Sequence, residues 1–75
     1  MDDSWLAAAF GNLVDSIWPE ELHGQQVRGK TTPETAADGL RRQEWESARY
    51  KFSYVIKIDR ANKRCELVSK SLVKK

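Results

Sequence analysis

YKFSYVIKIDRANKR, residues 50–64, decides how the rest of this 75-residue chain is read. Its first half alternates between apolar and polar side chains, the period-two signature of a half-buried strand. Ala48, Tyr50, Phe52, Tyr54, Ile56 and Ile58 share one parity, expected to point inward, while Arg49, Lys51, Ser53, Val55 and Lys57 share the other. The pattern predicts a strand over 48–58. Asp59 to Lys63 then carries turn-forming residues, with Asn62 the expected left-handed position. A return strand over 64–73 follows, with Cys65 and Leu67 inward and Arg64, Glu66, Val68 and Lys70 outward.

A two-stranded hairpin alone is barely stable in water, so its apolar face needs cover. Residues 4–18 supply an amphipathic helix, in which Leu6, Phe10, Leu13, Val14, Ile17 and Trp18 recur at steps of three and four. Asp3 or Ser4 suits its N-cap, and Pro19 stops it, because the residue before proline avoids helical angles. Residues 19–31 read as a connection: Pro19 to His23 can make one short helical turn, after which Gly24 and Gly29 break the pattern into a loop. A second helix is expected over 32–46, because Thr31 and Glu34 have capping-box spacing and Pro33 fits a first turn. The expectation is an α+β domain covering 1–75: two helices packed on a C-terminal antiparallel β-hairpin.

So short a chain buries only about 60% of the surface its unfolded form exposes, which leaves stability slim. A homodimer pairing two hairpins edge to edge would extend the sheet and remove exposed strand edges. One cysteine, Cys65, cannot close an internal disulfide, which suits a reducing, cytoplasmic setting. No segment reaches the ~20 apolar residues that span a bilayer, so no membrane role is expected.

Net charge is only +2, but it is unevenly spread. Residues 1–39 hold seven acids (Asp2, Asp3, Asp15, Glu20, Glu21, Glu34, Asp38) against Arg28 and Lys30. Residues 40–75 hold eleven bases against Glu44, Glu46, Asp59 and Glu66. A basic half points to an anionic partner. Catalytic equipment is sparse. His23 is the only histidine and stands in the loop; Cys65 falls on the inward face of a strand, where such residues act as small hydrophobes. One His and one Cys on separate elements do not make a metal site, and no phosphate-binding glycine loop is present. No enzyme, cofactor or metal is expected.

The expected function is that of a small regulatory binding protein. Its partner would be nucleic acid, or an acidic surface of a protein that handles it. The cations expected to make the contact are Arg41, Arg42 and Arg49 near the end of the second helix, Lys51, Lys57, Arg64 and Lys70 on the hairpin's outer face, and Arg60 and Lys63 at its tip. A row of cations on a β-ribbon gains by releasing counterions condensed on phosphates. The alternative is an inhibitor or adaptor of a larger protein. It would dock through the first helix and the acidic half, with Trp5 and Trp45 as interface anchors.

Overall fold

A computed structural model of the chain describes residues 4–32 and 39–75. Among them the helix α1 spans Ser4–Ile17, and four strands follow: β1 Arg28–Thr31, β2 Leu40–Glu46, β3 Tyr50–Asp59 and β4 Arg64–Lys74. The strands form one antiparallel sheet in the order β1-β2-β3-β4, so each pairs with its sequence neighbour. The class is α+β.

The alternation in β3 organises the packing. Phe52, Tyr54, Ile56 and Ile58 are buried, whereas Lys51 and Lys57 are exposed. Phe10, Leu13, Val14 and Ile17 of α1, with Trp18 just beyond it, pack onto that buried row. Helical spacing of three and four puts these five side chains on one stripe, which is why a single helix covers the sheet. Rings interlock at the centre. Trp18 meets Trp45 edge-on at 5.3 Å and Phe52 at 5.8 Å, and Phe52 tilts against Tyr54 at 5.5 Å. A 3-10 turn, Glu20–Leu22, then tucks Leu22 into the same core.

The second helix expected over 32–46 is not what forms. Leu40–Glu46 is the strand β2, and much of the remainder of that expectation, 33–38, lies outside the described residues. The capping-box reading fails at its first residue, since Thr31 ends β1 while Thr32 gives both its amide and hydroxyl to the Arg42 carbonyl. Gly39 adopts a left-handed φ of 64° and accepts from the Ile58 amide at 2.7 Å. A helix could not run through that residue. Helix propensity is a weak preference, and β3 needs a hydrogen-bonding partner on its second edge. The hairpin's sheet is therefore extended within the chain, by β2 and β1, and β3 gains its second partner without the second copy expected from sequence.

In the connection over 19–31 the short turn expected near Pro19 forms as the 3-10 turn, but the part expected as loop also holds a strand, β1. Its Arg-Gly-Lys-Thr has no apolar alternation to reveal it. What fixes it is Trp45, whose ring lies over Gly29, its cross-strand partner; a Cβ added there would stand 2.6 Å from the indole.

Two hairpin details differ from expectation. Ala48 and Arg49 belong to a turn, because the Ser47 hydroxyl accepts from the amides of Arg49 and Tyr50 at 3.3 and 3.0 Å. In the β3–β4 turn Lys63, not Asn62, takes the positive φ, of 53°. Asn62 instead donates its amide and side-chain nitrogen to the Asp59 carboxylate, at 3.2 and 2.8 Å.

Candidate nucleic-acid interface: the open face of the sheet

Strand register assigns every charged side chain to a face. Opposite the helix, Arg28, Glu46 and Lys51 stand in one cross-strand row, and Lys30, Glu44 and Ser53 in the next. Arg42 pairs with Val55, Lys57 lies between Leu40 and Glu66, and Arg64 faces Asp59. This side has no covering element among the described residues.

Of the nine cations expected to make contact, Arg42, Lys51, Lys57 and Arg64 share the open face. Arg60 and Lys63 sit in the exposed turn at its end. Arg49 lies in the turn at the opposite end, beside the Lys75–Glu46 pair. Two are turned the other way. Arg41 is opposite Ile56, on the helix side, with its guanidinium 5.5 Å from the Phe10 ring and its Nε buried without a hydrogen-bond partner among the described residues. Lys70, expected outward, is opposite Tyr54 and so also on the helix side. The cause is a β-bulge: Val55 pairs with Ser69 but Ile56 with Leu67, leaving Val68 as an extra residue. One inserted residue flips the parity of everything after it. Of the two tryptophans named as anchors, Trp45 is engaged internally by Trp18 and Tyr54, and Trp5 is half-buried on the first turn of α1.

Two contributors were hidden in the sequence. Arg28 and Lys30 reach the open face only because β1 exists, and nothing in their flanking residues marks a strand. The same pairing sets Glu46 between Arg28 and Lys51, and Glu44 between Lys30 and Ser53.

Two of the four carboxylates on this face, Glu46 and Asp59, are held locally. Glu46 takes the Lys75 ammonium, and that hydrogen bond, with the Lys75 charge behind it and then Lys51 and Arg28, holds its carboxyl below the usual range against an opposing effect of burial. Asp59 is lowered first by its bonds from Asn62. At the hairpin end the cations make a clear figure. Arg42 on β2, Lys57 on β3 and Arg64 on β4 advance two residues per strand, a straight diagonal. Strands lie about 4.8 Å apart and rise about 3.3 Å per residue, so neighbours on that diagonal are about 8 Å apart at the backbone. Lys63 adjoins its end. The open face carries no aromatic residue among those the register places there.

Among the described residues no three His, Cys, Asp or Glu side chains gather, and no helix is long and apolar enough to cross a membrane. No protein-family model, curated protein or solved structure matches the chain.

Proposed function

We propose that this is a small, non-enzymatic regulatory protein that grips the backbone of duplex nucleic acid with the hairpin end of its open sheet face. The observation that carries the reading is the diagonal Arg42–Lys57–Arg64, continued by Lys63 at the turn. Cations at regular spacing on a surface with no covering element among the described residues suit a line of phosphates, whose neutralisation releases condensed counterions. The lack of rings among the residues of this face favours backbone contact over base stacking, the mode of single-strand binders. On the same face Ser69 shares a row with Arg42, and Ser53 and Ser71 share one with Lys30; their hydroxyls are donors of the kind that position a protein on phosphate oxygens. A cytoplasmic setting belongs to the same reading.

The test is the salt dependence of binding to a short duplex, followed by fluorescence anisotropy. Affinity should fall steeply as salt rises, and the Arg42→Gln, Lys57→Gln, Arg64→Gln triple variant should flatten the log–log slope by about 3. Absence of duplex binding at low salt would reject the reading. An acidic protein surface would then become the better partner, and a pull-down comparing this triple variant with Trp5→Ala would distinguish the open face from α1.

A further inference from the structure

The second half of β4 stands apart from the rest of the sheet. Every residue from Val68 to Lys74 is exposed, and the large apolar residues left exposed among those described, Val68 at 55%, Leu72 at 36% and Val73 at 56%, all lie on it. β4 is an edge strand, so one side of its backbone has no partner strand among the described residues.

Which groups face that side follows from the ladder. The Lys75 amide donates to the Arg49 carbonyl at 2.8 Å, which makes Arg49 and Lys75 a bonded pair. Antiparallel pairs alternate between bonded and non-bonded. Stepping by two from Lys75, the bonded positions on β4 are Val73, Ser71 and Ser69, opposite Lys51, Ser53 and Val55. The amides and carbonyls of Lys70, Leu72 and Lys74 therefore point away from β3. Their side chains fall on the helix side, because the bulge placed them opposite Tyr54, Phe52 and Tyr50. Three outward donor–acceptor pairs thus coincide with a repeating Lys–x–Leu–x–Lys surface.

We infer that this edge accepts an extended acidic peptide from a partner protein as a fifth strand, with an apolar residue over Leu72 and a carboxylate beside each of Lys70 and Lys74. Strand addition of this kind takes affinity from the main chain and specificity from alternate side chains. Charge selects the occupant. A second copy paired antiparallel about Leu72 would set Lys70 of each chain directly against Lys74 of the other, a repulsive arrangement. Inward-facing lysines and a bulge are also devices by which sheets discourage self-pairing. An acidic strand turns the same lysines into attractive partners. This site lies on the opposite side of the sheet from the Arg42–Lys57–Arg64 diagonal and does not depend on it.

The probe is a synthetic peptide of pattern Asp-Xaa-Leu-Xaa-Asp flanked by threonines, titrated against the full chain by calorimetry. Saturable binding is expected, weakened about tenfold in the Lys70→Glu, Lys74→Glu double variant, which should in turn prefer a peptide with Lys in place of Asp. Circular dichroism checks that the variant, altered only at exposed positions, keeps its fold. N-methylation of the Asp and Leu amides should abolish binding, whereas methylation of the Xaa amides should spare it. Absence of binding, indifference to charge reversal, or equal sensitivity to both methylation patterns would overturn the proposal. So would a dimer of the unmodified chain that the peptide displaces, since the occupant would then be a second copy.

Discussion

Phe52, Tyr54, Ile56 and Ile58 on one side of β3 are sealed under α1, while Lys51, Ser53, Val55 and Lys57 on the other side meet solvent or are only half-buried. One strand thus serves two purposes on alternate residues. The covered face holds nearly all the interlocking apolar surface, and the open face holds charge arranged in rows. Stability and contact chemistry are therefore separable, so substitutions on neighbouring residues should have unlike consequences.

The largest contrast is expected within β3 itself. Phe52→Ala should lower unfolding free energy by about 3–5 kcal/mol, because it opens a cavity between Trp18 and Tyr54. That is a large part of what so small a domain has. Lys57→Ala, on the other face of the same strand, should change it by less than about 0.5 kcal/mol. Denaturant titrations followed by tryptophan fluorescence compare the two directly.

Next comes Gly29→Val, in a strand that looks dispensable. Its new side chain would meet the Trp45 ring, which cannot easily retreat because Trp18 packs against it and its Nε1 donates to the Tyr54 hydroxyl at 3.2 Å. A loss of about 1–3 kcal/mol is expected, with a shift in tryptophan emission.

Tyr54→Phe should cost about 1 kcal/mol, since the hydroxyl accepts from Trp45 and donates to Gln43. It also has a pH signature. Burial raises the Tyr54 phenol above its ordinary 10.0, opposed in part by the Trp45 bond. The unfolded chain then releases this proton first, so stability is retained below pH 10.0 and falls as pH rises from there through the raised value. The Phe variant should lack that component of the alkaline decline. The smallest effect belongs to Asn62→Ala. Asp59 is lowered by its Asn62 bonds, so it stabilises the fold above the ordinary 3.8 and loses that contribution as pH falls through the lowered value. Removing Asn62 should shrink this acid-side slope, read from melting temperature against pH.

The face that binds the core was legible in the sequence and the face proposed to bind a partner only partly so. Alternation from Phe52 to Ile58 and the helical stripe from Phe10 to Trp18 are local patterns, and local patterns survive into the fold. β2 was hidden because its helix-side residues include Arg41 and Gln43, so no apolar alternation shows; its conformation answers to the edge of β3 rather than to its own preferences. β1 was hidden for the same reason, its helix-side residues being Thr31 and a glycine that admits Trp45. The bulge at Val68 has no sequence mark at all, yet it decides that Lys70 lies with the helix rather than with Lys57. Register errors of one residue exchange faces, which is why the list of contact cations was harder to read than the core.

The proposed division of labour between the faces can be observed residue by residue in one titration. With the chain isotope-labelled and a short duplex added at low salt, the side-chain resonances of Arg42, Lys57, Lys63 and Arg64 should shift together, while those of Arg41 and Lys70 on the helix side stay in place. Shifts confined to the helix side, or no shift at the diagonal, would contradict the account.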